Sequence, residues 1–124
     1  VPFIEFCRKG LAAALQPAIL SGMFWLQGES DSALDRASAY HDNLVAFVRQ
    51  VRADLDSPNL PFVASHVHSN IMKHPDIVNA AIDRACAADG ELGDAASCPL
   101  AEASHICWKD GHLASWALLQ IGTD

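Results

Sequence analysis

The chain has 124 residues, enough for one compact domain spanning 1–124 and too few for two comfortable ones. Apolar residues make up 51% and charged residues 19%, so a packed core is within reach and disorder is disfavoured. The net charge of -7 argues against nucleic acid and anionic membrane as partners, because both select basic surfaces; a neutral small molecule fits this balance.

Phe3 to Leu15 carries apolar residues at Phe3, Phe6, Leu11, Ala14 and Leu15, which predicts a short helix weakened by Gly10 and closed by Pro17. The run Ile19 to Leu26 is almost wholly apolar and is halted by Gln27-Gly28-Glu29-Ser30-Asp31. It reads as a strand buried on both faces of a parallel sheet. From Ala33 to Leu55, Ala37, Tyr40, Leu44, Phe47, Val48, Val51 and Leu55 recur at helical steps. The spacing predicts one amphipathic helix, capped by Asp31 or Ser32 and ended by Ser57-Pro58-Asn59. Leu60 to Val67 reads as a second strand, with Pro61 at its first position. Pro75 to Ala88 reads as a helix with Pro75 in the first turn. A short strand near Cys98-Pro99-Leu100 and a last helix over His112 to Ile121 complete the reading.

No apolar run reaches the ~20 residues that span a bilayer. The four cysteines are scattered without a C-x-x-C pair, and free thiols are expected. Alternating strands and helices imply an α/β fold with a parallel sheet, whose ligand sites lie beyond the carboxyl ends of the strands.

Two segments fall where such a site would be. In Gln27-Gly28-Glu29 a glycine between two polar side chains lets the backbone turn directly after a strand. The Gln27 amide can donate to an oxyanion, and Glu29 can orient a histidine. The bland reading is a polar loop that caps the next helix. In Asp110-Gly111-His112 an acid two positions before a histidine can hold its imidazole, leaving the other nitrogen as a general base. The bland reading is a capped turn. His66-Val67-His68 puts two imidazoles on one strand face, with His74 or His105-Ile106-Cys107 as further metal ligands. No zinc-type spacing accompanies them, so ordinary surface or hydrogen-bonded histidines are expected, and neither a metal nor another cofactor. Trp25, Trp108 and Trp116 could stack on sugars, but tryptophans more often serve packing.

Together these segments resemble the sialate O-acetylesterase-like carbohydrate esterases, a branch of the SGNH hydrolases. The likeness runs through Gly22-Met23-Phe24-Trp25-Leu26-Gln27-Gly28-Glu29-Ser30-Asp31, then Ala39-Tyr40, Val51-Arg52-Ala53-Asp54-Leu55 and Asn59-Leu60-Pro61-Phe62. It continues through Val78-Asn79-Ala80-Ala81 and Asp110-Gly111-His112-Leu113. The resemblance implies a three-layer α/β/α sandwich and serine-type hydrolysis of acetyl esters on small or polymeric sugars. It implies Gln27 near the oxyanion, His112 as general base, and Asp110 or Glu29 as its orienting acid.

Two departures qualify this. The family's Gly-x-Ser-Asn nucleophile block has no counterpart among Val1 to Leu20, which contain no serine, and the first strand is missing with it. One residue rather than two separates Asp110 from His112, which favours Glu29 as the partner. The isolated chain is therefore expected to be inactive. The alternative is a catalytically dead carbohydrate-binding or interaction remnant, whose open sheet edge could pair with another copy. A zinc hydrolase using His66 and His68 ranks third.

Overall fold

The structure, a computed structural model, describes residues 2–15, 19–33, 36–68 and 73–98, and the backbone of 108–109 and 112–113. Helix α1 spans Pro2–Ala13, strand β1 Met23–Trp25, helix α2 Glu29–Ala33, helix α3 Tyr40–Asp54 and strand β2 Phe62–Ser65. Helix α4 spans Pro75–Cys86 and strand β3 Ala95–Cys98, followed by β4 Trp108–Lys109 and β5 His112–Leu113. Strands β1, β2 and β3 form a parallel sheet in that order, with Met23 opposite Phe62 and Phe62 opposite Ala95. The fold is α/β, as expected from the alternation of elements.

The core lies between the sheet and the helices α3 and α4. Tyr40, Leu44 and Val48 of α3 meet Phe62 and Ala64 of β2 and Val78, Ile82 and Ala85 of α4. Phe62, Ala64, Val78 and Ile82 are each at most 1% exposed, so this is a closed apolar interior whose burial drives the fold. Pro75 stands at the start of α4, where its missing N–H costs no helical hydrogen bond.

Several boundaries differ from the pattern in the sequence. The expected helix over Ala33 to Leu55 is divided into α2, a 3-10 turn at Ala37–Ala39 and α3. The periodicity survives the division because Ala37, Tyr40, Leu44, Val48 and Val51 still face one core. Asp31 and Ser32 lie inside α2 and do not cap a helix start. Strand β1 is also not buried on both faces. It is an edge of the described sheet, and Phe24 is 64% exposed. His112 and Leu113 do not begin a helix; they pair antiparallel with Trp108 and Lys109. The remainder of that expected helix lies outside the described residues.

The rear of the sheet is organised by one cation. Arg52, 9% exposed, donates from Nε and Nη2 to the Leu60 carbonyl at 3.0 and 2.8 Å and from Nη2 to the Asp94 carbonyl at 3.0 Å. Its Nη1 also donates to Leu92. These acceptors precede β2 and β3, so a single guanidinium sets where both strands begin. Among the described residues no helix is long and apolar enough to cross a membrane.

Candidate functional site

The chain leaves β1 through Leu26 and Gln27 and turns at Gly28, whose φ is +141°. A Cβ at Gly28 would lie 2.9 Å from methyl carbons of both Val67 and Val78 and 3.2 Å from the Tyr40 hydroxyl. Glycine is thus required twice, by the backbone conformation and by the close approach of β2's exit and α4. The turn is pinned on both sides. The Tyr40 hydroxyl donates to the Gln27 carbonyl at 2.6 Å, and the Ser32 N–H donates to the Gly28 carbonyl at 2.8 Å.

The half-buried Gln27 side chain is oriented as well. Its Nε2 donates to Asp31 Oδ2 at 3.2 Å, which uses one of the two amide hydrogens; the other has no partner among the described residues. Glu29 occupies the first position of α2, and its carboxylate has no hydrogen bond or ion pair to another described residue. Beneath Gln27 lies a cavity of about 140 Å³ lined by Trp25, Asp31, Tyr40, Asn43 and Phe47. Trp25 packs against Phe47 with ring centroids 4.5 Å apart, so its role in the described structure is packing. Burial is the main reason the Tyr40 hydroxyl is pushed up to about 12; the Trp25 side chain opposes this, and Asp31 and Glu29 add to it. Tyr40 therefore stays neutral and remains a donor at physiological pH.

The exit of β2 forms the second wall. Asn79 of α4 clamps the Val67 main chain, its Oδ1 accepting from the Val67 N–H at 2.8 Å and its Nδ2 donating to the Val67 carbonyl at 3.0 Å. His66 Nε2 meets Asp83 Oδ1 at 2.8 Å, and His68 is buried. Burial works to raise the Asp83 pKa, but the nearby Ser97 hydroxyl and the His66 ring hold it below the ordinary carboxylate value. No three His, Cys, Asp or Glu side chains converge as a metal site among the described residues. Cys7 and Cys86 are free thiols, as expected; the Cys98 and Cys107 side chains lie outside the described residues.

Of the four residues singled out in the sequence, Gln27 and Glu29 stand at the exit of β1. His112 lies on β5 with its side chain outside the described residues, and Asp110 lies outside them altogether. Tyr40, Asn79 and Asp83 were not singled out. Asn79 and Asp83 sit four apart on α4, a spacing that puts two polar groups on one helical face, but nothing local says that this face meets a strand exit.

A family model described as carbohydrate esterase, sialic acid-specific acetylesterase, matches residues 4–123. A crystal structure of a protein from Arabidopsis thaliana is similar with a TM-score of 0.75 and 21% identity, over 98% of this chain and 47% of that one. The chain thus spans about half the length of that structure, and at this identity the likeness concerns the fold alone. No curated protein is significantly similar to the chain.

Proposed function

The chain belongs to the carbohydrate esterases of the sialic acid-specific acetylesterase family, and on that premise we propose that it contributes the oxyanion and acid–base side of an acetyl-ester hydrolase acting on sugars. The observation that carries this reading is the Gln27 turn. Gly28 accepts no side chain, Tyr40 holds the Gln27 carbonyl, and Asp31 holds one amide hydrogen, so the other is presented by a preorganised donor. Preorganised donors of this kind stabilise the charge that develops on a carbonyl oxygen during acyl transfer.

In the proposed cycle a serine hydroxyl attacks the acetyl carbonyl and His112 takes its proton. Gln27 donates to the oxyanion, and Asp110 or Glu29 fixes the imidazole. The sugar oxygen leaves with the proton from His112, and water then releases acetate. Glu29 is the favoured orienting acid because it starts α2, its carboxylate has no hydrogen-bond or ion-pair partner among the described residues, and the one-residue spacing of Asp110 and His112 re-aims that pair.

The test compares acetylated-sugar hydrolysis by the 124-residue chain with hydrolysis by the chain joined to a Gly-x-Ser-Asn segment of its family. No sugar-acetate turnover is expected from the first. Turnover from the second should fall by about 10²-fold with Gln27→Ala, the scale of an oxyanion-hole donor. Full turnover with Gln27→Ala and His112→Gln would refute the proposal. Failure of the joined protein to turn over, with retained sugar binding, would favour the remnant instead.

A further inference from the structure

The sequence offers His66 as an ordinary surface or hydrogen-bonded histidine ahead of a metal ligand, and the structure supplies the hydrogen-bond partner. Its Nε2 lies 2.8 Å from Asp83 Oδ1, a separation of 17 residues in the chain. A carboxylate fixed on one ring nitrogen selects the tautomer that carries hydrogen there, and leaves the other nitrogen, Nδ1, with a bare lone pair. No described residue bonds to that Nδ1. The His66 side chain is 18% exposed, so it is shielded by its surroundings yet reachable.

The ring's position is fixed by the fold. The main chain of the next residue, Val67, is clamped by Asn79, four residues before Asp83 on the same helix. One face of α4 thus sets both the backbone and the ring at the exit of β2. That exit adjoins the Gln27 turn. Trp25 is the register partner of Ala64, so Gln27 and His66 each lie two residues beyond a paired position on neighbouring strands. The turn also touches this exit directly, because Val67 is one of the groups that exclude a side chain at Gly28.

Another histidine–carboxylate pair marks the contrast. His41 has Asp42 Oδ1 at 2.8 Å from Nδ1 and Glu91 Oε1 at 3.8 Å from Nε2, so a carboxylate faces each nitrogen. Asp42 is also its immediate neighbour in sequence, whereas the His66 pair is assembled by tertiary structure.

We propose that His66, oriented by Asp83, is a further proton acceptor at the rim of the sheet, able to activate water against the carbonyl of an activated aryl ester without a serine. It rests on the ester-hydrolase reading of this rim only for the class of substrate. Nδ1 takes one proton of a water molecule as the water oxygen bonds to the acyl carbon and the carbonyl pair moves onto its oxygen. The tetrahedral species then collapses, the carbonyl re-forms, and the bond from the acyl carbon to the aryloxy oxygen breaks. The proton passes from Nδ1 to that leaving oxygen, so the imidazole is restored and the products are a carboxylic acid and a phenol. Asp83 is a positioning residue: it holds Nε2–H and stabilises the transient imidazolium.

The probe is p-nitrophenyl acetate, an activated ester, with the 124-residue chain at neutral pH. The chain should release p-nitrophenolate faster than buffer, and more slowly in deuterium oxide than in water. His66→Gln should lower the enzymatic part of the rate by at least about tenfold, a modest share of what a positioned general base supplies. Asp83→Asn should lower it several-fold, while Asp42→Asn, exposed and on the other pair, should leave it unchanged. Nitrogen NMR should find the His66 proton on Nε2 in the parent and lose that preference in Asp83→Asn, a change that a merely structural role would not produce. Circular dichroism on each variant checks the fold, and His66→Asn provides a second substitution should the first unfold. A rate that survives both His66 variants, an absent rate, or a proton on Nδ1 in the parent would each overturn the proposal. These readouts are separate from sugar-acetate turnover by the serine-bearing protein, whose loss would refute the Gln27–His112 reading and leave this one standing.

Discussion

Replacing Tyr40 by phenylalanine gives a test that reads the pinned Gln27 turn directly. Tyr40 is 4% exposed, and its hydroxyl donates to the Gln27 carbonyl at 2.6 Å. Tyr40→Phe keeps the ring and removes the donor, leaving a part-buried carbonyl without this partner. The expected cost near pH 8 is about 1–3 kcal/mol. The pH dependence makes the test sharper. The folded pKa is raised from 10.0 to about 12, chiefly by burial. Between those values the unfolded chain releases the phenolic proton and the folded chain keeps it, so stability falls as pH rises from about 10 to about 12. Two pKa units correspond to about 2–3 kcal/mol. The parent should lose roughly that amount across the window, and Tyr40→Phe should not. The gap between the two proteins should therefore close at high pH. Urea unfolding at a series of pH values measures it, and every other titrating group cancels in the difference. The chain contains a single tyrosine, so tyrosinate absorbance reports this group alone. Equal alkaline losses in the two proteins, or a parent tyrosine that ionises at its ordinary value, would refute the reasoning.

Three further outcomes follow from the same geometry. Gly28→Ala combines an unfavourable φ of +141° with contacts at 2.9 Å to two valines, and should cost about 2–5 kcal/mol in a denaturant titration. Arg52→Met strands the carbonyls of Leu60, Leu92 and Asp94 at the far end of the sheet and should cost about 3 kcal/mol or more, seen as a lower unfolding midpoint. Asp83 has its folded pKa lowered from 3.8, so its contribution is present above about pH 4 and lost as pH falls through the folded value. Acid unfolding of the parent should therefore be steeper below pH 4 than that of Asp83→Asn, as followed by circular dichroism.

The local signals in this chain are strong where one periodicity governs. The helical steps of Tyr40, Leu44, Val48 and Val51 reappear as the buried face of α3, and the apolar stretch at Phe62 to Ser65 as the central strand. The turn at Gln27-Gly28-Glu29 was equally visible, because a glycine between polar residues after an apolar run has few other uses. The edge position of β1 was not visible. An apolar run reads alike whether one face or two are covered, and the number of neighbouring strands is not a local property.

What the sequence determined by itself was the α/β class, the alternation of helices and strands up to β3 apart from the division of the Ala33 to Leu55 helix, and the resemblance to an esterase family through Gln27, Glu29, Asp110 and His112. Those depend on residue spacing and on side-chain types, which the linear chain carries in full. Only the tertiary structure decided who meets whom. It brought Tyr40 under Gln27, Asn79 onto Val67, Asp83 onto His66, and Arg52 across three carbonyls. Each of these joins a polar group on a helix to a loop or strand end 8 to 42 residues away. The need to satisfy buried polar groups is general, but the choice of partner is made only when the sheet and helices pack.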